Sequence, residues 1–381
     1  MNILRPISGR TRCPMVLQRM VNGRSANRGM AVVMALSVIL IMAAAALELH
    51  KNERANMLDA AAMRDHVTLE QMTVSGIHLA MAVLIKDRLE SETDSLQEDW
   101  ADEETLKAYL AEIPFERGTL KVKITDELGK VQINALVRFP EGNQFNEKQR
   151  RIWERLADKL LSALELMADE SKGLEETDPQ TIINSVKDWL DKDEDLVTGL
   201  SGAESDYYET LDPPYACKNA PFDHISEVRL VKGITPELFS GLAGAAGLGD
   251  YITVYGAEKQ NDETFSFPGK ININTAKLPV LTVLLPPESE DFANLLIDYR
   301  SAVSGAKYTN DLTHITWYKN IPGFAGITLD PELVSISSDV FRIVATADLE
   351  GSRSTTTAII RRKRENPSAH WQCKVLNWKT E

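Results

Sequence analysis

Met30 to Leu47 restricts this chain more than any other stretch: eighteen consecutive residues without a charge, about the length at which a helix just spans the hydrocarbon of a bilayer. Charge resumes at Glu48 and Lys51. Ahead of the run stand 29 residues with six arginines and no acid, the composition of a cytoplasmic flank under the positive-inside rule. Two readings fit. "MAAAAL" at Met42–Leu47 holds A-x-A sites at which an ordinary signal peptidase could cut, discarding the run and freeing the body. A cut after Gly29 would instead leave the run as an anchor. No proline lies between Pro14 and Pro114, and no glycine between Gly29 and Gly76, so nothing local stops a helix entered at Met30. Leu58, Met63, Val67, Met72, Ile77, Met81, Leu84 and Ile85 then recur near helical spacing among charged residues. This predicts one helix continuing to about Arg88, its first half in lipid and its second in a folded domain.

The formal charge of −14 divides into +6 over the first 29 residues and −20 over the rest. A body that acidic is repelled by phosphate backbones, which argues against nucleic acid as its main partner. Three cysteines are too few for a disulfide scaffold, and no C-x-x-C or Cys/His spacing suggests zinc or redox chemistry. Cys13 lies in the basic leader. Cys217 and Cys373 could pair if the body is exported to an oxidising compartment; the alternative is two buried thiols.

"GTLKVKITDELGKVQINAL" alternates Leu120, Val122 and Ile124, breaks at Glu127-Leu128-Gly129 and resumes with Val131 and Ile133, a hairpin signal. From about Glu147 to Asp330 the pattern changes to helices and loops. "NEKQRRIWERLADKLLSALELMA" is amphipathic, "DPQTIINSVKDWL" begins at a good cap, and "SEVRLVKGITPELFSGL" reads as two short helices around a turn at Lys232-Gly233. Strand signals return in "SDVFRIVATADLEGSRSTTTAIIRRK", a hairpin with its turn near Glu350-Gly351, and in "HWQCKVLNW". The fold class expected is α+β: a long N-terminal helix with an antiparallel sheet, interrupted by an inserted all-α domain. The divisions are 1–29 leader, 30–48 transmembrane helix, 49–146 and 331–381 for the two parts of the α+β domain, and 147–330 for the insertion.

The segment "DWLDKDEDLVTGLSGAESDYYETLDPPYACKN" packs nine carboxylates, among them Asp188, Asp191, Asp193, Asp195, Glu204 and Asp206. Such density costs repulsion unless the acids are solvated or share a cation, and hard oxygens on an irregular loop suit calcium. Its D-x-D-x-D start imitates an EF-hand, but the sixth position is Leu196 rather than Gly and the twelfth is Gly202 rather than Glu. Trp189, Tyr207, Tyr208 and Tyr215 are interleaved with the acids; burying those rings would fix neighbouring carboxylates near one another. "LVKGI" and "ININTA" also look like helix-hairpin-helix modules, which present turn amides to phosphates. Here Asp223, Glu227 and Glu237 surround Arg229 and Lys232, and a helical packing motif without ligand fits better. G-x-S-x-G, P-loop and H-E-x-x-H patterns are absent and the six histidines, including His224 and His314, are scattered; no nucleophile has a base beside it, and no enzyme is expected.

The basic leader ending in Gly29 before an apolar helix resembles a class III, prepilin-type signal. The segments "DWLDKDED…GAESDYY…PPYACKN", "ISEVRLVKGITPELF", "GKININTA" and "SDVFRIVATA" resemble, in order, those of a type II secretion minor pseudopilin, the general secretion pathway protein K family. The resemblance implies cleavage by prepilin peptidase after Gly29 and methylation of the Met30 amine. It implies an inner-membrane helix, a periplasmic body, and a place at the pseudopilus tip with I-type and J-type minor pseudopilins in support of protein export. It also implies calcium in the helical domain, with Asp191, Asp193, Glu204, Asp206 and Asn219 as carried-over ligands and Asp188 and Asp195 as further candidates. Most pilin subunits carry glutamate at the fifth mature position, where it neutralises a neighbour's amino terminus; this chain has Met34, which fits a subunit with no neighbour above it. The competing function is an exported helix-hairpin-helix DNA-binding protein of an uptake apparatus.

Overall fold

The computed structural model describes residues 26–381, apart from 114, 168–177, 197–200, 243, 262–263, 306 and 367. The leader expected over residues 1–29 therefore lies almost wholly outside the described residues. The chain divides into two compact units, residues 1–64 and 65–381.

In the first unit the described residues belong to one helix, α1, which runs from Ala26 to Glu90. Every side chain from Met30 to Leu47 is exposed, including Val33 at 64% and Ile41 at 69%. A helix apolar on all sides without a protein cover has lipid as its compatible solvent. Among the described residues this is the one helix long and apolar enough to cross a membrane, with a mean hydropathy of 2.7 over an 18-residue window.

In the second unit, Leu69, Met72, Thr73, Ile77, Ala80, Val83 and Leu84 of α1 form a buried stripe at helical spacing. It packs on a four-stranded antiparallel sheet of β1 (Thr119–Asp126), β2 (Val340–Leu349), β3 (Ser352–Lys363) and β4 (Gln372–Thr380), in that spatial order. Ile124 faces Ile343, which faces Ala358, so one alternating set of small and β-branched residues makes the inner surface. Gly76 lets the helix approach closely: a Cβ there would lie 2.8 Å from Val122 Cγ2. The β2–β3 turn sits where the sequence put it, with Glu350 and Gly351 both at positive φ, 50° and 91°, as a two-residue turn between antiparallel strands favours. α2 (Glu103–Ala111), capped by Asp102 accepting the Thr105 amide, closes this core with Leu106 and Leu110.

The hairpin expected around Glu127–Gly129 does not form. β1 pairs with β2 instead, and Val131–Gln132 pairs in parallel with Ile252–Thr253. The reason lies in Glu127, which is buried and accepts from Lys130 (2.8 Å), Arg342 (2.6 Å) and Thr253 (2.9 Å). Burial alone would raise its pKa, but Lys130 and Arg342 outweigh it and hold the carboxyl down at about 2. The alternation was sound as a strand signal and silent about the partner.

Between β1 and β2 lies the helical insertion. α3 (Glu147–Met167) and α4 (Pro179–Leu190) carry Ile152, Trp153, Leu156, Ile182, Ile183 and Val186 into a core joined by α5 (Ser205–Tyr208), α6 (Pro236–Ser240), α7 (Leu278–Leu284) and α8 (Ala293–Ser301). Two-residue ladders such as Ile271–Asn272 on Val334–Ser335 tie its loops. The "ININTA" motif fastens the insertion to the sheet: Asn272 Nδ2 donates to the Asp94 carbonyl and to Asp126 Oδ2, both at 2.9 Å. Asn274 accepts from Trp317 Nε1 at 2.7 Å and donates to the Leu312 carbonyl, and Arg300 donates to the carbonyls of Ile273 and Ala276.

Candidate metal centre

α4 begins at Asp178, whose side chain accepts the Thr181 amide, and ends at Asp191. One turn of helix sets Lys187 against Asp191, and its ammonium is paired with Asp191 Oδ2. Asp191 is fully buried, and its Oδ1 has no hydrogen-bond partner. Asp188, also fully buried, accepts the Ala203 amide on Oδ2 at 2.9 Å. Gly202 makes that approach available: its φ is +124°, and a Cβ there would stand 2.1 Å from Asp188 Oδ2.

Glu204 follows at the start of α5, 4% exposed, with neither carboxyl oxygen meeting an N–H or O–H donor and the Cys217 thiol as a weak donor beside it. Burial, with like charge from Asp188, Asp191 and Glu194 added, pushes its carboxyl up to about 8. Burial likewise raises Asp191 to about 6 against the pull of Lys187. Asn219 sits at positive φ, 49°, donating through Nδ2 to Glu194 Oε1 (2.9 Å) and to the Asp193 carbonyl (3.3 Å), while its Oδ1 is buried without a partner. Ser205 Oγ donates to the same Glu194 oxygen at 3.2 Å and accepts the Cys217 amide.

Aromatic packing holds these segments. Trp189 stacks on Phe222 with an interplanar angle of 11° and meets Tyr208 edge-on at 5.2 Å, and Tyr208 stacks on Tyr215 at 5.3 Å. Four buried oxygens of these segments, Asp191 Oδ1, both carboxyl oxygens of Glu204 and Asn219 Oδ1, have no N–H or O–H donor, and the charges of Asp188 and Asp191 bear on Glu204. Buried oxygens in native proteins are normally satisfied, and a hard cation would satisfy these. The donor set therefore fits an oxygen-coordinated ion. Asp193, Asp195 and Asp206 are exposed; Asp193 is tied into the loop, its Oδ1 accepting the Asp195 amide at 3.1 Å. Residues 197–200 of this loop lie outside the described residues.

A second acidic group was not foreseen. Asp87, Asp94 and Glu98 are, among the described residues, the set whose three ligand atoms all lie within 4.8 Å of one another, and such a cluster could hold a metal. Two of its members already carry a cation of the protein's own: Arg362, fully buried, donates to Asp87 Oδ2 at 2.9 Å and to Asp94 Oδ1. Glu98 accepts the Ser95 amide and Trp100 Nε1. No local spacing signals this group, because its organising residue is 275 positions from Asp87.

Cys217 and Cys373 are both free, so the bridge considered from sequence is not formed. Cys217 packs in the insertion core with Sγ on the Asp188 carbonyl, whereas Cys373 packs beside the sheet core with Sγ toward the Met81 carbonyl. The turn at Lys232-Gly233 is flanked by Ile225–Leu230 and α6, as the pattern suggested. Its amides turn inward: Lys232 N donates to Tyr208 Oη and Ile234 N to the Val231 carbonyl. Those two amides are spent within the fold rather than offered to phosphate.

Comparison with known proteins agrees with this architecture. The family model for type II secretion system protein K matches residues 129–246. The chain is 26% identical over 277 residues to type II secretion system protein K of Pseudomonas aeruginosa, covering 70% of each chain. It is 24% identical over 276 residues to that of Klebsiella pneumoniae, covering 68% of this chain and 71% of the relative. Its fold is similar to a chain in the crystal structure of the GspK–GspI–GspJ complex from enterotoxigenic Escherichia coli, with a TM-score of 0.55 at 18% identity, covering 84% of this chain and 99% of that one. With its long apolar helix, the sheet on that helix's second half and the helical insertion, this chain is similar in sequence and in fold to the type II secretion system protein K family of minor pseudopilins.

Proposed function

We propose that this protein is the tip subunit of a secretion pseudopilus, assembled with I-type and J-type minor pseudopilins and supporting protein export across the outer membrane. The observation that carries the reading is one unbroken helix, α1, whose uncharged exposed first part continues into the stripe that packs on β1–β4. That is how a pilin-like subunit joins a membrane anchor to a folded head. The relative of similar fold was solved in complex with GspI and GspJ, which supports the choice of partners.

Cleavage by prepilin peptidase between Gly29 and Met30, with methylation of the new amine, would leave Met30–Leu47 as a single inner-membrane span under a periplasmic body. The arginine-rich leader and acidic body support that orientation. Met34 in place of a carboxylate, and the bulk of the insertion, expected over 147–330 between domain parts 49–146 and 331–381, suit a subunit that caps the filament. Asp191, Glu204 and Asn219, with Asp188 beside them, would hold a calcium ion, while the exposed Asp193 and Asp206 would lie at its rim. A bound divalent ion neutralises the buried carboxylates and ties α4 to the start of α5 and to the Asn219 loop.

The test is co-purification. Full-length chain co-produced with its I-type and J-type partners should elute from a sizing column as a ternary complex. Elution apart from both partners, or salt-sensitive binding to duplex DNA at moderate ionic strength, would contradict the reading.

A further inference from the structure

We propose that Lys187 sets the charge of cation that the centre accepts, making it a specificity-determining residue for a divalent ion; this rests on the calcium reading above. Three carboxylates, Asp188, Asp191 and Glu204, are buried in the centre, each no more than 4% exposed. One ammonium is buried with them: the Lys187 side chain is 10% exposed and paired with Asp191 Oδ2. Two other lysines are near, and neither joins the balance. Lys218 binds Asp223 and Glu227. Lys232 donates to the Gly202 carbonyl at 3.0 Å and lies over the Tyr207 ring.

With its carboxylates ionised, as a bound cation would hold them, the three buried acids and the Lys187 ammonium sum to two net negative charges, the complement of a divalent cation. The exposed acids Asp193 and Glu194 also bear on the centre, on Asp191 and Glu204 respectively, and do so alike in the wild type and in variants at Lys187. Lys187 also leaves Asp191 one free oxygen, Oδ1, while holding Oδ2. Asp191 is thus presented as a one-oxygen ligand, and each charge removed or added in the buried set changes how strongly a trivalent ion is preferred over a divalent one.

The experiment uses the full chain in detergent, with terbium luminescence excited through the neighbouring Trp189 and Tyr208 rings and calcium as displacing ion. Lys187→Gln keeps a donor to Asp191 while deleting the charge, so the ratio of terbium to calcium affinity should rise about tenfold. Lys187→Arg should leave the ratio at the wild-type value. Glu204→Gln, which removes a negative charge elsewhere in the set, should lower the ratio by a similar factor, and it keeps the charge rule testable if Lys187→Gln does not fold. Changes in absolute affinity report positioning; the ratio reports charge. A ratio within twofold of wild type in Lys187→Gln overturns the proposal while wild-type calcium binding still stands. A wild-type chain that binds neither ion overturns the calcium reading and this inference together.

Discussion

Replacing Arg362 with methionine is the substitution whose cost can be reasoned most directly. The Arg362 side chain is 1% exposed and lies between Asp87 (7%) and Asp94 (0%). It also donates to the carbonyls of Leu84 (2.8 Å) and Ser338 (3.1 Å), and its guanidinium lies over the Phe341 ring. Methionine replaces most of the stem but leaves two buried carboxylates without their cation. Breaking a buried pair by removing one partner costs about 3–5 kcal/mol. That cost depends on pH in a definite sense. Burial already raises Asp87 to about 6 and Glu98 to about 7, and raises Asp94, whereas in the unfolded chain such groups titrate near 4. Their contribution is present in full below about pH 4 and lost as pH rises through about 6–7. Without Arg362 these pKa values rise further, so acidification relieves the variant more than the wild type. Urea unfolding of the full chain in detergent should be followed by fluorescence, which Trp100, packed edge-on to Phe341, reports locally. The expected loss is about 3–5 kcal/mol at pH 8 and no more than about half of that at pH 5. A loss below about 1 kcal/mol at pH 8, or an equal loss at both values, would refute the reasoning.

Calcium should raise the melting temperature and EGTA should reverse the rise, with about 2.7 kcal/mol gained at a hundredfold excess over the dissociation constant; metal-stripped protein that shows no shift by differential scanning fluorimetry would count against the donor set. Asn272→Ala removes the donor to the buried Asp94 carbonyl and to Asp126 and should cost about 2–3 kcal/mol in urea unfolding, with early proteolysis of the insertion if the fastening fails first. Gly202→Ala puts a Cβ against Asp188 Oδ2 at positive φ; it should cost more than about 1 kcal/mol and weaken calcium-dependent stabilisation, measured by the same thermal assay.

Much of the fold is legible in the sequence because its signals are local. The uncharged run, the helical periodicity after it, the Asp178 cap and the Glu350-Gly351 turn each state their structure within a few residues. The pairing of β1 was not legible, since alternation fixes which residues face inward and says nothing about partners 200 residues away. In the acidic segment, the interleaved rings pack on one another as their spacing suggested. Composition could not separate buried Asp188, Asp191 and Glu204 from exposed Asp193 and Asp206, because burial there follows from how α4 and α5 dock on Trp189 and Tyr208. The Asp87–Asp94–Glu98 group, organised by an arginine on β3, had no sequence signature at all. "ININTA" was legible as a packing motif without a ligand, and its asparagines serve the backbone carbonyls of neighbouring loops and the Asp126 carboxylate.

The mature amino terminus tests the central claim most directly. Intact and peptide mass spectrometry of the protein isolated from inner membranes should find a chain beginning at Met30 and carrying one methyl group on its amine, with Met30–Leu47 retained. A chain beginning within or just after the alanines at 43–46 would mean that the apolar run is a discarded secretion signal, and the account of an anchored pseudopilus subunit would be wrong.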